Sequence, residues 1–304
     1  YGVERIYDLN VRGEYEGDAT PRAYSNGTPL PSPLRPQDNY PWDGDTNDII
    51  AAFNEGRTII VHFDHGGVTG WGHPHFVNSD LSQLTNGDRL PVVFNMDCSS
   101  GAFDNTCFAE SALRLSGGGA IAVFAWTRMS NSYYPSPVMK SVLGGLWPTA
   151  FPDYADGTPK HRLGDLLNYS KLGMANAAAG EDPSSTFYLN TINHVRLYHL
   201  IGDPTLDIWT GNPVRLPVDI FLIPFPDFLD IPYAVEGAVI TALQEQVPAG
   251  TVGLPPTLVP IARGVVHEGT ARLPYVNRPL EGVPLRFFAT RPNAISTELR
   301  VMNP

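Results

Sequence analysis

Cysteine is scarce in this chain of 304 residues: there are only two, Cys98 and Cys107. That excludes a disulfide framework of the kind that staples small secreted domains. Long apolar runs are missing as well. No stretch reaches the ~18 consecutive apolar residues of a membrane span, and no basic segment followed by an apolar one marks a signal peptide. Basic residues are in deficit, with 20 Lys and Arg against 31 Asp and Glu and a formal charge of −11. Nucleic acids and anionic membranes are met through basic patches that displace counterions, so neither is an expected partner. An acidic field favours cationic substrates instead. There is no internal repeat and no low-complexity tract. The first residue is Tyr1 rather than Met, which reads as a processed or partial product.

What is present is a folded composition, 42% hydrophobic and 17% charged, long enough for one large or two ordinary domains. Residues 3–8 read as a strand, and residues 10–44 as a long irregular segment with six prolines that borders a cleft. Asp45 to Gly56 has a capping residue, apolar spacing and a terminal glycine, the marks of a helix. Two apolar runs follow, Thr58-Ile-Ile-Val-His-Phe-Asp-His65 and Pro91-Val-Val-Phe-Asn-Met-Asp-Cys98. Runs of this length bounded by turn signals suit parallel strands covered on both faces. Further along come a helix at 106–115, a third buried strand at 117–125, helices near 137–146, 161–178 and 187–200, and a strand at 205–209. This alternation predicts an α/β sheet with helices on both faces. After Pro213 short alternating runs separated by Pro and Gly predict a β-sandwich of immunoglobulin size, with the boundary at 211–216.

Substrates gather at the carboxyl ends of parallel strands, where His65 and Cys98 both fall. An imidazole within hydrogen-bond reach of a thiol generates the thiolate that attacks a carbonyl, which makes a cysteine hydrolase the leading reading. Gly66 and Gly67 let the backbone close on a substrate, and the N–H groups of Gly66 and Cys98 are placed to meet an oxyanion. Spacing alone does not decide the matter, because buried His and Cys are usually satisfied core residues. Cys107 lies in an amphipathic helix pattern and reads as a core thiol.

The order Phe63-Asp-His-Gly-Gly-Val-Thr-Gly-Trp-Gly, Asp97-Cys-Ser-Ser-Gly-Ala-Phe, Cys107-Phe-Ala-Glu-Ser-Ala and Ile201-Gly-Asp-Pro-Thr-Leu resembles the gingipain family of cysteine peptidases. The likeness covers residues 1–211. It implies a caspase-like α/β domain with a mostly parallel sheet over 1–211, followed by an all-β immunoglobulin-like sandwich over 212–304. It implies a cysteine endopeptidase with His65 and Cys98 as catalytic dyad and the Gly66 and Cys98 backbone as oxyanion hole. Cleavage after basic residues and a secreted or cell-surface location come with it. Trp71 and Tyr134 occupy positions of the family's aromatic pocket residues, and Asp64 stands where the family usually has glycine. The family's catalytic unit also has a segment ahead of this chain's start, expected as a separate N-terminal fragment or other subunit that completes the domain. A second reading keeps the fold as a catalytically inactive structural or binding subunit of a cell-surface assembly.

The chemistry requires no cofactor. Structural calcium is implied by the resemblance, with Asp43, Asp45 and Asp48 as candidates, although helix capping explains them better and the later glutamate of a calcium loop is missing. The cluster His62, Asp64, His65, His73 and His75 suggests a zinc hydrolase, but no His-Glu-x-x-His pattern accompanies it. His194, His199 and Asp203 read as the end of a helix, and the sequons at Asn26 and Asn168 are patterns that occur by chance.

Overall fold

The computed structural model describes residues 2–8, 28–35, 41–247 and 256–302. Asn26 and much of the irregular 10–44 segment lie outside these. The chain divides between Ile208 and Trp209 into two units, a few residues before the expected boundary.

The first unit opens with α1 (Thr46–Glu55). Asp45 caps it, accepting from the N–H groups of Asn47 and Asp48, while Asp48 accepts in return from the Asp45 N–H. Gly56 ends it at φ +84°, a left-handed turn that glycine makes without strain. Strand β1 (Ile59–His62) follows, then a small antiparallel sheet of β2 (Gly66–Gly67), β3 (Gly70–Trp71) and β4 (Phe76–Val77). After these come β5 (Val92–Asn95), α2 (Phe108–Arg114), β6 (Ala122–Trp126), α3 (Pro135–Leu146), α4 (Leu163–Asn176), α5 (Thr186–Leu197) and β7 (Tyr198–Gly202). The main sheet has the order β1-β5-β6-β7, the first three strands parallel and β7 antiparallel to β6.

All four residues of β5 and all five of β6 are buried, as expected for strands covered on both sides. On one face Phe94, Phe124 and Trp126 pack against Val138 and Val142 of α3 and Leu163 and Leu166 of α4. On the other, Val93, Val123 and Ala125 pack with Phe53 of α1 and Phe108 of α2. Each large side chain buried there contributes ~1.5–3 kcal/mol, so packing fixes which residues face which layer.

Three expectations need correction. Residues 3–8 form no strand; only Asp8 bridges to Asp43. The last helix stops at Leu197, and residues 198–202, predicted as its end, form β7, because Tyr198 buries its ring between Phe124 and Trp126. The strand predicted at 205–209 is reduced to a bridge between Asp207 and Arg162.

The second unit is all-β: β8 (Val214–Arg215), β9 (Asp219–Ile220), β10 (Ile223–Pro224), β11 (Phe228–Pro232), β12 (Val239–Gln246), β13 (Thr257–His267), β14 (Thr270–Pro274), β15 (Leu285–Thr290), β16 (Ala294–Ile295) and β17 (Thr297–Val301). Eight of them run in the order β10-β11-β14-β13-β12-β15-β17-β9. Alternate residues Ile240, Ala242 and Gln244 of β12 turn inward. The buried Gln244 amide is satisfied by the carbonyls of Leu280 and Val283 and the N–H of Leu280.

Candidate active site

Strands β1 and β5 are parallel neighbours in a register that sets His62 opposite Asn95. The chain runs three residues further on each side, 65 − 62 = 3 and 98 − 95 = 3, to His65 and Cys98. The sequence-predicted pair therefore leaves the same edge of the sheet at matched offsets. Neither residue lies in a strand proper. His65 occupies the exposed connection into β2, its N–H bonded to the Asp64 carboxylate and its carbonyl accepting from Gly72 N–H.

Cys98 is a free, half-buried thiol, whereas Cys107 is fully buried as expected of a core cysteine. The Cys98 sulfur is held by one backbone unit: Ser130 N–H donates to Sγ at 3.3 Å and the Ser130 carbonyl accepts from it at 3.4 Å. Among the described residues those are the thiol's hydrogen bonds, and none joins it to the His65 ring. The turn after Cys98 is tight. Ser99 adopts φ +58°, sparsely populated for a residue with a side chain, and bonds through its N–H to Arg128.

Beneath these two loops lies a polar group that sequence reasoning treated only as a zinc candidate or overlooked. His62 and Asp97 are 5% and 2% exposed. His62 Nδ1 is 3.1 Å from Asp97 Oδ2, and its Nε2 is 3.3 Å from the His73 carbonyl. Asp97 Oδ1 accepts from Ser100 Oγ at 2.5 Å, Ser100 Oγ accepts from Asn95 Nδ2, and Asn95 Oδ1 accepts from Trp71 Nε1. Burial pushes the Asp97 carboxyl above the ordinary range, opposed by its bond to His62. The signal available in the sequence was a histidine and an aspartate each one to three residues from the predicted dyad.

The two expected pocket aromatics are both buried. Trp71 stacks on His62 with ring centres 4.6 Å apart, and Tyr134 stacks on His194 at 4.0 Å while its hydroxyl meets Thr191. Tyr133 is the exposed neighbour, and it lines a cleft of about 520 Å³ together with Ser132, Ser136, Lys140 and Tyr154. That cleft begins two residues past Ser130, and among the described residues no carboxylate lines it. His194 and His199 do not share a helix: His194 lies on α5 and His199 on β7, where burial first and the Lys171 charge second hold its pKa below the ordinary value.

Among the described residues no three His, Cys, Asp or Glu side chains gather as a metal site. Asp45 and Asp48 are engaged in the cap of α1, and the Asp43 backbone bridges to Asp8. His73 pairs with Asp8 instead of joining the other histidines.

An α/β unit that presents a free thiol beside a histidine loop at the carboxyl edge of its sheet has the make-up of a cysteine hydrolase. The chain belongs to peptidase family C25, whose model matches residues 1–209. Gingipain R2 and gingipain R1 of Porphyromonas gingivalis are each 36% identical over 97 residues, or 30% of this chain. The matched stretch is 13% of the former and 10% of the latter, so the likeness spans a small part of either relative. The crystal structure of the Arg-specific cysteine proteinase gingipain R (RgpB) superposes with a TM-score of 0.67 at 21% identity, over 84% of this chain and 55% of that one. A complex of the pro- and mature domains of Porphyromonas gingivalis RgpB gives 0.63 at 20% identity, over 85% and 57%. These structural likenesses carry the fold, and the α/β unit with its mixed sheet fits a caspase-like domain.

Proposed function

We propose that this chain is the catalytic part of a cysteine endopeptidase. Cys98 Sγ attacks the scissile carbonyl, His65 takes the thiol proton and returns it to the leaving amine, and the N–H groups of Gly66 and Cys98 receive the oxyanion. The observation that carries this reading is the matched offset of His65 and Cys98 beyond the His62–Asn95 pair, within the segment that matches a peptidase family. Transfer of the thiol proton to the imidazole requires it to turn from the Ser130 carbonyl, while the Ser130 N–H can go on donating to the sulfur; catalytic bonds of this kind tighten when substrate binds. Replacement of Cys98 by Ala, with peptide hydrolysis and folding both followed, tests the assignment.

Cleavage after basic residues, arginine above all, is supported by the Arg specificity of gingipain R and by the net charge of −11. Among the described residues no carboxylate that would receive such a side chain lines the cleft beside Tyr133, and our reading places it on a separate segment that docks at this edge. The RgpB assembly of pro- and mature domains supports a second polypeptide as partner. Co-purification of this chain with the product encoded ahead of it tests that partnership. We read the all-β unit as an immunoglobulin-like module and the protein as secreted or surface-attached. Among the described residues no helix is long and apolar enough to cross a membrane.

One observation favours the second reading, a catalytically inactive binding or structural subunit: the Cys98 thiol donates to the Ser130 carbonyl, and among the described residues no hydrogen bond joins it to His65. Labelling with a thiol-reactive peptidyl probe separates the two, since an inactive subunit leaves the probe unreacted.

A further inference from the structure

We propose that His62 and Asp97 act as one net-neutral positioning pair, in which His62 cancels a buried carboxylate that would otherwise face both the Cys98 thiolate and the oxyanion. This inference rests on the peptidase reading above. It begins with the location of Asp97, which precedes Cys98 directly and has its carboxyl packed against Gly66. A Cβ built on Gly66 would stand 2.7 Å from Asp97 Cγ and Oδ2. Only glycine fits there, so the carboxyl group touches the backbone of one proposed oxyanion donor and belongs to the residue next to the other. An uncompensated negative charge in that position opposes both the thiolate and the oxyanion, because a buried like charge disfavours ionisation of its neighbour.

The hydrogen bonds show how the charge is cancelled. His62 Nε2 faces the His73 carbonyl, which only accepts, so Nε2 carries a hydrogen. One further proton then lies between His62 Nδ1 and Asp97 Oδ2. Whether that proton sits on nitrogen or oxygen, the pair has no net charge. Ser100 donates to the other carboxylate oxygen, His73 beside the pair turns its own ring to Asp8, and Tyr198 of β7 is a phenol whose pKa burial holds well above its ordinary value, so it stays neutral. The same pair ties the end of β1 to the Cys98 turn and stacks on Trp71 of β3, which fixes the spacing of the two loops. Its two members are positioning residues, and neither touches substrate.

A double-substitution cycle in the full chain tests the pair. His62→Gln leaves the Asp97 carboxyl buried without the group that shares its proton and is expected to lower kcat and the rate of Cys98 alkylation by iodoacetamide by ~10-fold or more, one pKa unit of thiol being worth a factor of ten. Adding Asp97→Asn removes the charge, and the double variant is expected to recover most of that loss. A role in packing alone gives the opposite order, with the double variant no better than His62→Gln, and that result overturns the proposal. Cys107 is fully buried, so alkylation reads Cys98. A wild-type protein that hydrolyses no peptide overturns the peptidase reading alone, since the alkylation cycle still decides the pair. Should neither variant fold, NMR of the unsubstituted protein decides it. His62 Nδ1 and Asp97 both without the proton at pH 7 overturns the pair, and one proton shared between them supports it.

Discussion

His62 stands directly opposite Asn95 in the parallel β1–β5 ladder, and the Met96 N–H continues the pairing by donating to the His62 carbonyl. That register brings two loops to one edge, because both strands leave the ladder together. A one-residue slip would turn every side chain beyond it to the other face. The first prediction follows from the buried side chains that hold the register. Phe94→Ala removes a ring stacked on Phe124 at 4.6 Å and is expected to cost ~3–5 kcal/mol by chemical denaturation, with activity lost through unfolding.

Cys98→Ala is expected to abolish peptide hydrolysis while the melting temperature stays close to wild type, since the thiol is half-buried and meets only one backbone unit. Cys107→Ala should do the reverse. It truncates a fully buried side chain, so stability falls while hydrolysis by the remaining folded protein persists.

The Ser99 backbone offers an independent probe of the nucleophile turn. Ser99→Val places a β-branched side chain at φ +58°, with an expected cost of ~1–3 kcal/mol and a displaced Cys98. Ser99→Gly adopts that angle freely and should retain activity. Equal loss in both variants would show that the serine side chain, and not the angle, is what matters.

Asp45 links stability to pH with a definite sign. Its pKa is lowered first by the Asp48 N–H and then by the Asn47 N–H, so its folded value lies below the unfolded one. The stabilisation is therefore complete above the unfolded pKa, near 3.8, and is lost as pH falls through the folded value. Asp45→Asn keeps a capping side chain but has nothing to titrate, so its melting temperature should change less than wild type between pH 5 and about pH 3. Parallel curves for the two proteins would contradict the assignment.

Sequence patterns made the main sheet legible, and with it the sheet edge that His65 and Cys98 follow, because these are local statements. Val92 to Asn95 and Ala122 to Trp126 are apolar runs of strand length, and Asp45 and Gly56 bracket a helix. Residues 198–202 were misread because Tyr-His-Leu-Ile-Gly continues an apolar helical period, and only the tertiary pocket beside Trp126 draws Tyr198 into a strand. The His62–Asp97 pair was invisible for a related reason. The two residues are 35 apart in sequence, and nothing short of the β1–β5 register shows that a histidine on one strand end faces the aspartate beyond the other. Exposure likewise separates Tyr133 from Tyr134 only after α3 is docked.

The measurement closest to the central claim is labelling of the intact protein, with its co-purifying partner if one is present, by an irreversible peptidyl probe carrying arginine next to its thiol-reactive group, with the modified residue located by mass spectrometry. The account expects stoichiometric modification at Cys98 and its loss in His65→Ala. Modification that is absent from Cys98, or that proceeds equally well without the His65 imidazole, would contradict a His65/Cys98 peptidase.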